Sequence, residues 1–175
     1  RFVLYGADGW APLAGWRARQ QFTWTAGTRN VFQLLAFVLA RAGLDLTSYS
    51  NSSTLVDHYP SFTIQPGESG LRAVQRLLEM IPDRLFLEGA SGYLLNPQSS
   101  DASVYSYGTD HAVLEGGYRS TPRSVNQAQA HGKGVFAEAF DWAGIDDVYG
   151  RVRQTLDLNL DSAGEAADRA AAELR

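Results

Sequence analysis

FTIQPGESGLRAVQRLLEMIPDRLFLEGASGYLL, residues 62–95, sets the fold class. Phe62, Thr63 and Ile64 alternate as a short strand, and Pro66-Gly67 turns the chain. Leu71, Val74, Leu78 and Ile81 then recur at helical spacing, so an amphipathic helix follows and Pro82 stops it. Beyond it, residues 84–88 and 93–95 flank Gly89-Ala90-Ser91-Gly92, the composition and spacing of a hairpin. Strand, helix and hairpin in succession predict an α+β protein.

The pattern extends in both directions. Upstream, Phe2 to Tyr5 form a β-type run closed by Gly6-Ala7-Asp8-Gly9, and Trp10, Leu13 and Trp16 recur at helical spacing. Residues 19–25 alternate as a half-buried strand with Gln20, Phe22 and Trp24 on one side. Thr28 is placed to cap a helix whose apolar stripe is Val31, Leu34, Leu35, Val38 and Ala42, with Gly43 ending it in a left-handed cap. Residues 44–59 are rich in Ser, Asn and Asp and read as a surface connection. Downstream, residues 103–108, 112–119, 124–131, 135–140 and 148–158 are strand-length pieces separated by Gly, Pro or Asp, as in a β-barrel or strongly bent sheet. Ser162-Ala163-Gly164-Glu165 is a capping box opening a last helix, and Glu165/Arg169 and Arg169/Glu173 fall at i,i+4 spacing. The expectation is a small helix-strand-helix-hairpin domain over residues 1–98. A β-barrel-like antiparallel sheet domain with a C-terminal helix follows over 99–175, the whole reading as an excerpt of a longer chain.

Composition narrows the function. Of 175 residues, 45% are hydrophobic and 19% charged, enough to build a core. The net charge is -4 and no basic run exceeds Arg17-Ala18-Arg19, which argues against tight nucleic-acid binding and against a sequence-specific nucleic-acid partner. The chain has no cysteine, which excludes disulfides, cysteine-ligated metal sites and thiol nucleophiles. Its longest apolar stretch, residues 31–42, is interrupted by Gln33 and Arg41 and is too short to insert in a membrane.

Catalytic and ligand motifs are weak. Gly67-Glu68-Ser69-Gly70-Leu71 sits where a hydrolase nucleophile would, but G-x-S-x-G needs glycine at Leu71, and Ser69 reads as a helix cap. Gly132-Lys133-Gly134 lacks the phosphate-loop pattern and reads as a hairpin turn. His58, His111 and His131 have no ligand at helical metal-site spacing and read as loop histidines. Asp141, Asp146 and Asp147 lack a calcium-loop pattern and read as a solvated acidic loop. No catalytic residue, metal ligand or cofactor is expected. Among the aromatics, Phe22, Trp24, Phe32 and Phe62 lie on periodic faces that predict burial, leaving Trp10, Trp16, Tyr93 and Tyr107 as exposed interface candidates.

Four stretches carry a resemblance. They are Leu4-Tyr5-Gly6-Ala7-Asp8-Gly9-Trp10-Ala11-Pro12-Leu13; residues 30–44, a helix ending in Ala-Gly-Leu; residues 62–95 with their strand, Gly-Glu-Ser, helix and hairpin; and a C-terminal set. That set comprises residues 124–132, the Tyr149-Gly150-Arg151 step and the alanine-rich helix from Asp161-Ser162 to Leu174. In this order they resemble the baseplate hub proteins of contractile phage tails, the late-control D or Mu-like tail protein group, related to type VI secretion spikes. The resemblance implies a structural virion-tail protein of a phage or prophage. It implies a homotrimeric ring in the full-length protein at the end of the tail tube, with the barrels forming the ring, the α+β domain outside it and a spike protein docked below. The chain lacks the family's first barrel. Gly67-Glu68-Ser69 before a helix is also similar to the start of peptidoglycan-binding LysM modules, although the rest of the chain does not fit one. A cell-wall or glycan-binding module is therefore the alternative, and a serine hydrolase using Ser69 the third reading.

Overall fold

The computed structural model describes residues 8–102, 125–147 and 151–174. The run 2–5, the pieces 103–108 and 112–119, the Tyr149-Gly150 step, Tyr107 and His111 lie outside the described residues. In chain order the elements are α1 (Trp10–Gly15), β1 (Phe22–Trp24), α2 (Val31–Arg41), β2 (Asp45–Ser48), α3 (Ser53–Asp57), β3 (Phe62–Ile64) and α4 (Gly70–Leu78). They continue with β4 (Arg84–Glu88), β5 (Ser91–Leu95), β6 (Gln127–His131), β7 (Phe136–Phe140), α5 (Trp142–Asp147), β8 (Arg153–Asp157) and α6 (Ala163–Glu173). Helices and short open sheets together make the fold α+β, as the 62–95 stretch predicts.

The strongest periodicities give the firmest elements. On α2, Val31, Leu34, Leu35, Val38 and Leu39 form one buried stripe. Gly43 follows α2 at φ +79°, a conformation that costs glycine little and other residues more. The helix starts two residues later than the Thr28 cap predicts: Asn30 caps it, its side chain accepting from Gln33 N while Gln33 reaches back to Asn30 N. Thr28 instead donates its hydroxyl to Thr25 O. On α4 the buried face is rotated from the expected one: Ala73, Val74 and Leu77 are buried, Leu71 and Leu78 are half-buried, and Ile81 is buried beyond the helix end. Ser69 Oγ accepts from Arg72 N at 3.2 Å, the capping role expected for it. The 84–95 hairpin forms with β4 and β5 antiparallel across Gly89-Ala90.

Three sheets result: β1-β3, β2-β5-β4 and β7-β6-β8. Two features correct the sequence reading. Residues 44–59 are not a surface connection, since they contain β2, which pairs parallel with β5, and α3, with Leu44, Thr54, Leu55 and His58 buried. The last sheet is not antiparallel throughout, because β8 lies parallel to β6 while β7 is antiparallel to it, and no closed barrel is seen among the described residues. Short strand length and a Gly/Asp-punctuated pattern do not encode pairing direction, which is set by where the intervening chain returns. The supposed acidic loop holds α5, with Asp141 Oδ1 accepting from Gly144 N at 3.1 Å.

The core is continuous across both parts of the chain. The α2, α3 and α4 leucines join Ala128 and Ala130 of β6, Leu160, and Ala166 and Ala170 of α6. Alanine on both α6 and β6 lets helix and sheet approach closely. Gly132 follows the same logic at the β6–β7 turn: a Cβ there would collide with the Leu160 carbonyl and lie 2.6 Å from Val135 Cγ2. The Gly132-Lys133-Gly134 hairpin turn expected from sequence is therefore also a packing contact, and Lys133 N donates to Leu160 O at 2.8 Å.

Candidate functional site

In the β2-β5-β4 sheet, side chains alternate between faces. Leu46, Leu94, Leu85 and Leu87 turn toward the core, so their neighbours face outward. The register aligns Thr47, Tyr93 and Phe86 across the three strands on that outer side. Tyr49 follows β2, held by its N–H donating to Leu94 O at 2.9 Å. Its ring stacks on Tyr93 with centroids 5.1 Å apart and planes 8° apart. Tyr49 remains 73% exposed and Phe86 55% exposed, so the sheet presents a row of three aromatics, Phe86, Tyr93 and Tyr49, to its surroundings. Aromatic surface left in water on a rigid sheet is costly unless something covers it, and contact surfaces are enriched in these residue types.

The nominated aromatics fall differently from expectation. Tyr93 belongs to this row. Trp10 and Trp16 are half-buried against the core rather than exposed, because α1 lies over α4 and β4. Tyr49 and Phe86 were not singled out by sequence. Tyr49 sits in a Ser/Asn-rich stretch, and Phe86 in the run Leu85-Phe86-Leu87, where every position is apolar and alternation cannot tell the outer one. A second exposed aromatic group lies on the other sheet: Phe140 and Trp142 stack with centroids 4.7 Å apart, and Arg151 lies 5.5 and 5.8 Å from their ring centres. Of the residues expected to be buried, Phe62 is; Phe22 and Trp24 are half-buried edge-on to Phe37 at 5.1 and 5.0 Å, and Phe32 is half-buried.

His58 is not a loop histidine. It ends α3, is 3% exposed, and its Nδ1 lies 2.6 Å from Glu165 Oε1 in the first turn of α6. Glu165 therefore joins α6 to α3 instead of pairing with Arg169, while its other oxygen accepts from Ser162 N at 3.2 Å. Arg169 makes the predicted pair with Glu173 at 2.8 Å and donates Nε–H to Glu79 O at 2.9 Å. Enclosed on the protein side, the His58–Glu165 pair locks the C-terminal helix to the first half of the chain. A double-mutant cycle of His58→Ala and Glu165→Ala is expected to give a coupling energy of about 1–2 kcal/mol in urea unfolding. A cycle closing at zero would remove this contact from the account of stability.

His131 tilts against Phe136 at 4.8 Å. Ser69 Oγ is engaged by the α4 N-terminus, and no histidine or carboxylate bonds to it among the described residues. No group of three or more His, Asp or Glu suited to a metal occurs among the described residues, and no described helix is long and apolar enough to cross a membrane. Among the described residues, fold and surface together define an α+β protein with a partly exposed aromatic row on one sheet face. No protein-family model and no curated protein matches the chain.

Proposed function

We propose that this chain is a structural part of a phage or prophage tail baseplate hub. It works by presenting sheet faces to neighbouring subunits and, in the full-length protein, takes part in an oligomeric ring between tail tube and spike in the virion. The observation that supports this reading is the outer face of the β2-β5-β4 sheet, where Phe86 and Tyr49 stand exposed on either side of the half-buried Tyr93. Oligomer interfaces anchor on aromatic residues placed this way. The order of strand, Gly-Glu-Ser, capped helix and hairpin, on which the resemblance partly rests, supports the same reading.

Size-exclusion chromatography with light scattering on the full-length protein tests the proposal. A trimer is expected, and Phe86→Arg, which puts a charge at the β4 end of the aromatic row, is expected to weaken assembly at least tenfold without loss of helical signal. A clean monomer at high concentration, indifferent to Phe86→Arg, would overturn it. One observation favours a glycan-binding reading instead: Tyr49 has one ring face covered by Tyr93 and is otherwise open, a shape on which a sugar ring can stack. Retention on purified peptidoglycan that Tyr49→Ala abolishes would put that reading first.

A further inference from the structure

A different surface carries a binding site of its own. Beside residues 15–22 lies an open cavity of about 710 Å³ lined by Trp16, Arg17, Arg19, Gln20, Phe22 and Arg41. It is bordered by the extended backbone around Arg17, paired along one edge and, among the described residues, unpaired along the other. On the paired side, Gly70 N donates to Trp16 O at 3.2 Å, Ala18 N to Glu68 O at 3.0 Å, and Gly67 N to Ala18 O at 2.8 Å, forming an antiparallel bridge between Arg17 and Ser69. Successive residues of an extended chain direct their peptide groups to opposite edges, so the Arg17 N–H and C=O face away from this bridge. Neither group is hydrogen-bonded among the described residues. Farther along, past a bend at Arg19-Gln20, β1 pairs with β3 on one side and with no strand on its other side among the described residues.

The charge around this edge is one-sided. Among the described residues no carboxylate lines the cavity. In the neighbouring hollow, which shares Arg17 and adds Arg72, the one acid among the described residues is Glu68, and it is already held by Arg76 at 2.8 Å. Arg17, Arg19, Arg41 and Arg72 form no ion pair among the described residues. Arg41 is instead poised over Phe22 and Phe37, 5.6 and 5.1 Å from their ring centres. In a chain of net charge -4 this is a local reversal of sign.

We infer that the edge left unpaired among the described residues by residues 16–18 and β1, framed by Arg17, Arg19 and Arg41, is a docking groove for an extended acidic segment of a partner protein, which adds to the sheet as a further strand. Main-chain hydrogen bonds to Arg17 and β1 would hold the peptide backbone. The guanidinium groups would pair with its carboxylates, and Trp16 and Phe22 would receive its alternate apolar side chains. The groove is built from β1 and the end of α2, not from the β2-β5-β4 face, so it stands whether or not the hub reading does.

The test uses a fluorescein-labelled octapeptide of alternating glutamate and valine, titrated against the full chain by fluorescence anisotropy. Saturable binding is expected, at least tenfold tighter than for the lysine–valine peptide and weakening as salt rises. N-methylation of alternate peptide bonds, which blocks strand addition and leaves the charge intact, is expected to weaken it at least tenfold. The double variant Arg17→Glu/Arg41→Glu, at exposed positions, should do the same with its circular dichroism unchanged. If that variant does not fold, the N-methylated peptide on the unaltered protein decides alone. Equal binding of the N-methylated peptide would overturn strand addition and leave only a charged patch. Absence of binding at millimolar peptide, or displacement by inorganic phosphate or a single-stranded DNA oligonucleotide as effective as by unlabelled peptide, would overturn the inference too.

Discussion

Asp83→Ala is expected to lower the stability of the fold by about 4 kcal/mol, the largest effect of any polar substitution considered. Asp83 is 2% exposed, between Pro82 and β4. Its Oδ1 accepts from Ser52 N at 3.0 Å and its Oδ2 accepts a short hydrogen bond from Ser52 Oγ. Ser52 Oγ in turn accepts from Leu55 N at 3.1 Å and so caps α3. One carboxylate thus fixes the entry to a helix 31 residues away. Removing it forfeits two charge-assisted bonds and leaves a buried N–H with no acceptor. Asp83→Asn, which keeps one acceptor but loses the charge, should cost about half as much. Urea unfolding followed by circular dichroism measures both. A loss under about 1 kcal/mol for Asp83→Ala would show that Ser52 finds another partner and that the network is not what holds α3.

Leu35→Ala is expected to destabilise by about 3 kcal/mol, with a lower urea midpoint and an unchanged slope. Leu35 is completely buried on α2, in the stripe that meets α3 and α4. Truncation loses its transfer free energy and leaves a cavity that surrounding leucines cannot fill without moving. Ala40→Ser, on the exposed side of the same helix, should stay within about 0.5 kcal/mol. If the two substitutions cost the same, α2 does not pack with the face its periodicity assigns.

These two positions mark how far the sequence could be read. Leu35 announces itself: its neighbours at three- and four-residue spacing are apolar, and the burial of one implies the burial of the rest. Asp83 announces nothing, because Ile81-Pro82-Asp83-Arg84 has the composition of an exposed turn, and its burial depends on a serine far away in the chain. His58 behaves the same way, since Glu165, its partner, is already accounted for locally as the last member of a capping box. The aromatic face was half legible. Tyr93 followed from the hairpin, whereas Tyr49 and Phe86 needed the strand register that lays them beside it.

By itself the sequence determined the α+β class, the stripe of α2, the presence of α4, the caps at Ser69 and Ser162, the 84–95 hairpin and the turn at Gly132. Each of these depends on residues within a few positions of one another, where side-chain period and backbone preference act directly. Only the tertiary structure decided that β2 and β5, and β6 and β8, run parallel, that residues 44–59 are inside rather than outside, and that Asp83 and His58 find partners. It also decided which edge of residues 16–18 and β1 is paired. Those outcomes depend on which distant segments meet, and a polar group or strand edge carries no local mark of the partner that will satisfy it.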